Sequence, residues 1–173
     1  MAKEQFLTWG PCVLLFTLED AIIKRLLEKG NKSREENLDF RKNLAGNIEE
    51  EFYYKDYDWF IPDFTPYINR YRETIQSKYG TQCESWYLES LWINYMKAGE
   101  YNPPHSHIGH LSFVIYVDVP SEIALEKNEH RHQGPGVISF DWGQQMPISI
   151  SRISHIPKTG DAIIFPGWLT HTA

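Results

Sequence analysis

Two hydrophobic rhythms divide the chain near residue 84. Before that point apolar side chains recur every three or four positions; after it they alternate. Thr17-Leu18-Glu19-Asp20 reads as a capping box that opens a first helix. Ile22, Ile23, Leu26 and Leu27 form its apolar stripe, and Gly30 is expected to end it. A second helix is predicted over 34–53, with Leu38, Phe40, Leu44 and Ile48 turned partly inward and Glu49-Glu50-Glu51 as a solvated face. A third begins after Asp63 with Pro66 in its first turn, carries Phe64, Ile68, Tyr71, Ile75 and Tyr79 at helical spacing, and stops at Gly80.

Beyond Gly80 the period becomes two. Trp86, Leu88, Ser90, Trp92, Asn94 and Met96 share one face of a long predicted strand. Further strands are expected over 111–119, closed by Pro120, and over 136–142, 148–155 and 162–165. Within the first of these, the Ser112, Val114 and Tyr116 face is taken to line an internal cavity. Short strands joined by Gly and Pro turns, with helices before them, predict an α+β barrel or sandwich backed by helical support.

Composition narrows the classes. The 173 residues suit one domain, and 42% apolar with 23% charged residues is the balance of a globular protein. A net charge of -6 argues against a broad nucleic-acid face, which needs clustered Lys and Arg. No stretch reaches the ~20 apolar residues of a membrane span, and the run 11–18 is too short for a signal segment. Cys12 and Cys83 lack metal or redox spacing and read as free thiols, so a cytoplasmic location is expected.

All seven histidines lie in the second half. His105 and His107 are separated by one residue, so in an extended segment both imidazoles point the same way and can meet one cation; imidazole suits Fe, Zn, Cu or Ni. A third candidate, His171, follows the apolar run Ala162-Ile163-Ile164-Phe165 and the bend Pro166-Gly167-Trp168. His110 falls on the opposite face from His107 and reads as a rim residue, and His130-Arg131-His132 reads as part of a solvated loop.

Together these segments resemble the Fe(II)/2-oxoglutarate oxygenases, in particular the prolyl-hydroxylase-like branch with its bacterial and phage-type relatives. Gly99, six residues before His105, matches the glycine before that family's first ligand. Gly160-Asp161, Phe165-Pro166 and Trp168-Leu169 before His171 match the strand that carries its distal ligand. The resemblance covers about 86–173. It implies a double-stranded β-helix (jelly-roll) barrel with N-terminal supporting helices: one domain over 1–173, with 1–83 as support and 84–173 as a core lacking its last strand. It also implies Fe(II) held by His105, His107 and His171, with 2-oxoglutarate as cosubstrate, oxygen as co-reactant, and hydroxylation of a peptide side chain or small molecule.

His107 stands where most relatives have a carboxylate, and Asp141 is an alternative third ligand. Asn94 matches an asparagine that touches 2-oxoglutarate in related enzymes, whereas Met96 stands where those have tyrosine. Asn94, Met96, Tyr116 and Arg152 are the candidate cosubstrate contacts, Arg152 standing in for a carboxylate anchor expected beyond Ala173. Two other readings stay open: a three-histidine, cupin-like dioxygenase that does not use 2-oxoglutarate, and a non-catalytic jelly-roll binding module.

Overall fold

The computed structural model describes residues 10–124, 134 and 136–173. Two helices, α1 (Asp20–Glu35) and α2 (Phe60–Tyr79), accompany eight short strands. These are β1 (Leu14–Thr17), β2 (Glu51–Tyr53), β3 (Trp92–Asn94), β4 (Leu111–Ile115), β5 (Ile138–Asp141), β6 (Arg152–His155), β7 (Asp161–Pro166) and β8 (Thr170–Thr172). All pairing is antiparallel, in three sheets ordered β1-β7-β4, β2-β3 and β6-β5-β8. Among the described residues these sheets do not close into a barrel.

The central strand β7 shows how alternation builds the interior. Ala162 and Ile164 point to one side, where they join Phe60, Phe64, Ile68 and Tyr71 of α2 and Ile23 and Leu26 of α1 in the main core. Ile163 and Phe165 point to the other side, against Ile138 and Phe140 of β5 and Leu169. β4 obeys the same rule: Leu111, Phe113 and Ile115 face the helices, and Val114 and Tyr116 face the second cluster. The Ser112, Val114 and Tyr116 face thus turns away from the helices toward the space between the β1-β7-β4 and β6-β5-β8 sheets.

Helix α2 carries Phe64, Ile68 and Tyr71 buried, and Gly80 ends it with a left-handed φ of 70°. It starts at Phe60, ahead of the expected position, so Pro66 lies inside it rather than in its first turn. Helix α1 corrects the sequence reading at both ends. Its N-cap is Glu19, which makes no side-chain cap, so the Thr17 capping box does not form. It also runs through Gly30, which is buried against Ile93 and Tyr54, and ends where Asn37 takes a φ of 52°.

The helix predicted over 34–53 is absent. Its place is taken by a bridge at Asp39, a 3₁₀ turn at Arg41–Asn43 and strand β2. Tertiary pairing explains this: β2 is held by β3 on one side and by Leu38 and Phe40 on the other, where the Tyr53 N–H donates to the Leu38 carbonyl and the Phe40 N–H to that of Glu51. The long strand expected over 86–96 shrinks to β3, since only 92–94 has a strand partner. No described helix is long and apolar enough to cross a membrane.

Candidate metal centre

The residues 102–107 run antiparallel to β8. Asn102 and Ala173 exchange backbone hydrogen bonds, and His105 and His171 do so at 3.0 Å in both directions. Pro103 and Pro104 favour extended backbone here. The alternation that follows turns His105 and His107 to one side and leaves Ser106 exposed. On its other side β8 pairs with β5, with His171 opposite Phe140, so His171 sits in the middle of a four-segment layer. Its ring packs 4.7 Å from that of Phe165 and is 5% exposed.

This register brings the three imidazoles together. Ring centroids are 5.0 Å apart for His105–His107, 4.2 Å for His105–His171 and 5.1 Å for His107–His171. One nitrogen from each lies within 4.8 Å of the others, close enough for one cation to bridge. Two of the rings are aimed by backbone: His105 Nδ1 lies 2.7 Å from the Pro103 carbonyl oxygen, and His171 Nδ1 lies 2.9 Å from that of Leu169. A carbonyl can only accept, so each Nδ1 carries the proton and each Nε2 keeps its lone pair for a ligand bond. Burial lowers the pKa of His171 to about 4 and also lowers that of His107, with neighbouring histidines adding to both shifts. Both rings are therefore neutral at physiological pH, the form that binds a metal.

Gly167 lets the two histidine-bearing segments approach. A Cβ there would stand 2.0 Å from the Gly109 carbonyl oxygen and 3.3 Å from that of His107. The His107 N–H donates to the Gly167 carbonyl at 2.7 Å, and the Gly167 N–H donates to the His110 carbonyl at 3.0 Å. His110 itself is exposed at the rim.

The other candidates fall into two groups. Asn94 Oδ1 and the Tyr116 hydroxyl are buried without a hydrogen-bond partner among the described residues, and burial holds the Tyr116 hydroxyl far above its ordinary pKa. Met96 is exposed. Arg152 forks onto Asp141 with bonds of 2.7 and 2.8 Å. Since Phe140 faces His171, its neighbour Asp141 points to the opposite side of β5, and its carboxylate is engaged by Arg152 rather than by the histidine cluster. His130 and His132 lie outside the described residues.

Sequence reasoning missed Glu51, which was grouped with a solvated acidic run. It is 1% exposed, and neither carboxylate oxygen has a hydrogen-bond partner among the described residues. The alternation of Phe52 and Tyr54, both buried, was the available signal: as a strand, 51–54 must send Glu51 and Tyr53 to the face opposite them.

Residues 90–173 match the model of a family described as "Putative 2OG-Fe(II) oxygenase", a stretch that contains all three clustered histidines. This segment belongs to the 2OG-Fe(II) oxygenase superfamily. No curated protein matches the chain. Membership implies Fe(II) and 2-oxoglutarate, and the donor set fits the metal: three imidazole nitrogens in one partly buried cluster suit a divalent first-row ion. The orphaned Tyr116 hydroxyl fits the cosubstrate, since it can donate to a carboxylate and is costly to leave unpaired, whereas Asn94 Oδ1 only accepts and calls for a donor. The oxygenase segment excludes both helices, which reach it through the main core.

Proposed function

We propose that the protein is an Fe(II)- and 2-oxoglutarate-dependent dioxygenase that hydroxylates a peptide side chain or small molecule on a jelly-roll scaffold. The observation that carries this reading is the convergence of one nitrogen each from His105, His107 and His171 within 4.8 Å, inside the segment that matches the oxygenase family.

His105, His107 and His171 would hold the iron. Bound iron, with 2-oxoglutarate and oxygen, supplies the oxidising equivalent for inserting a hydroxyl into a C–H bond. The chain's own contribution is placement. Pro103 and Leu169 carbonyls fix the tautomers of two ligand rings. Phe140 and Phe165 pack against His171 and exclude water from that side. Tyr116 presents a buried hydroxyl that can donate to the cosubstrate. Trp92, with its ring 6.0 Å from that of His107, forms an apolar wall beside the reacting position. The chain acts as one oxygenase unit in which helices α1 and α2 brace the outer face of the β1-β7-β4 sheet.

The test is succinate formation from 2-oxoglutarate by the iron-loaded protein, measured with and without each component. Formation that needs iron, 2-oxoglutarate and an intact His171 supports the reading. Its absence in iron-replete protein overturns it. The all-imidazole ligand set favours one second reading, a three-histidine dioxygenase without 2-oxoglutarate, and oxygen consumption in the absence of 2-oxoglutarate would select that one.

A further inference from the structure

Beside the histidine cluster, the β2-β3 ribbon turns one face of its ladder toward the same cleft. Glu51 pairs with Asn94 and Tyr53 with Trp92, so these four side chains share that face. Phe52 and Ile93, on the other face, belong to the main core. Trp92 connects the ribbon to the metal centre through its contact with the His107 ring. Phe40 packs onto both Tyr53 and Trp92, with ring centroids 6.0 and 5.9 Å away. The cleft that passes the histidines is lined by Glu51, Trp92, Asn94, Asn102, His105 and His107.

At the floor of this face lie three orphaned acceptors: both Glu51 oxygens and Asn94 Oδ1. Rotating the Asn94 amide would offer Glu51 an N–H, but a carboxylate presents two oxygens with about four lone-pair sites. Among the described residues the nearby cations are already engaged. Arg41 forks onto Asp39 with bonds of 2.9 and 2.7 Å, Lys97 pairs with Glu49 and Glu50, and Arg34 pairs with Glu50. Glu100, which adds negative charge near Glu51, has its carboxylate occupied by the N–H groups of Glu49 and Lys97. Gly46 lets the backbone pass close by: a Cβ there would stand 2.6 Å from Asn102 Oδ1 and 3.0 Å from Glu51 Oε1. A buried carboxylate without a donor is costly, and a donor-rich cation is the group that relieves the cost.

We propose that Glu51, with Asn94, is the recognition site for a cationic N–H group of the substrate, a primary ammonium or guanidinium, which enters past the aromatic wall of Phe40, Tyr53 and Trp92. This deepens the oxygenase reading and rests on it for the identity of the bound molecule as substrate. Aromatic faces beside a carboxylate favour such a group twice, through charge pairing and through attraction to the ring faces. Because Trp92 of the same face packs on His107, a cation held by Glu51 would set which C–H of a basic molecule meets the metal.

The test uses the full chain and calorimetric titration with N-acetyl-L-lysine amide and N-acetyl-L-arginine amide, against N-acetyl-L-norleucine amide as the neutral control. At least one cationic probe is expected to bind, the norleucine probe not to, and Glu51→Gln to weaken the cation at least tenfold while circular dichroism stays unchanged. Equal binding of norleucine, no binding of either cation, or unchanged affinity in Glu51→Gln overturns the inference. Co(II) binding to the histidines is measured on the same samples. If Co(II) binds and the cation does not, recognition by Glu51 alone is wrong. If Co(II) fails to bind, the oxygenase reading falls whatever the cation does.

Discussion

The backbones of His105 and His171 hold each other, each N–H donating to the other's carbonyl oxygen at 3.0 Å, while their rings stand 4.2 Å apart. A metal site built this way inherits its precision from a sheet ladder rather than from loop conformation. Each ring is then turned by a second backbone carbonyl on Nδ1. The rings are thus set before any ion arrives, which lowers the ordering cost of binding.

Removing either ring should abolish the site without dissolving the fold. His105→Ala and His171→Ala are each expected to weaken Co(II) or Fe(II) binding by more than about 100-fold, since even outer-shell partners cost 10- to 100-fold. Far-UV circular dichroism should be retained in both. Metal titration followed by absorption checks this, and near-native affinity in His171→Ala would contradict the proposed ligand set.

Gly167→Ala probes the close approach of the two segments. The added methyl meets the Gly109 carbonyl at 2.0 Å, a backbone atom that cannot swing aside. We expect a loss of about 1–3 kcal/mol in chemical denaturation, the usual cost of overpacking. Metal affinity should fall as well, because His107 is tied to Gly167 by a backbone hydrogen bond.

Tyr116→Phe removes an oxygen that is buried and unpaired. The protein free of cosubstrate should keep or slightly gain stability, while affinity for 2-oxoglutarate falls about tenfold, the worth of a hydrogen bond near 1.4 kcal/mol. Arg152→Ala breaks only a half-exposed pair with Asp141 and should cost less than about 1 kcal/mol. Fluorescence titration with 2-oxoglutarate on both variants distinguishes the two candidate contacts.

Glu51 makes stability depend on pH in an unusual direction. Burial, with help from Glu100, raises its pKa from 4.5 to about 7 in the folded state. Between those values the folded protein binds a proton that the unfolded chain has lost, so stability from this group falls as pH rises. The loss begins near pH 4.5 and is complete above about pH 7. Thermal melts across that window should slope downward more in the wild type than in Glu51→Gln, and identical slopes would show that Glu51 is not strained.

The parts of this architecture legible in the sequence are those encoded locally. Helix α2 announces itself by Phe64, Ile68 and Tyr71 at helical spacing before Gly80, and β7 by an apolar run after a turn. The histidine pair could be aimed by period-two reasoning alone, and His171 by its place after that run. What stayed hidden depends on partners distant in the chain. Leu38, Leu44 and Ile48 mimic a helical stripe, yet 51–53 is a strand because β3 is there to pair with it. Glu51 was misplaced for the same reason: an acidic run reads as solvated until a ladder assigns its middle and ends to different faces. Strands β1 and β8 are too short to show a period at all.

The three-residue strand β8 lies wedged between β5 and the segment bearing the histidine pair. A growing polypeptide therefore holds only an incomplete claw until residue 171 slides into that slot. Before then His105 and His107 offer a weak, bidentate grip that any passing ion can leave. A cation gripped by all three rings would therefore report that β8 has docked beside the histidine pair.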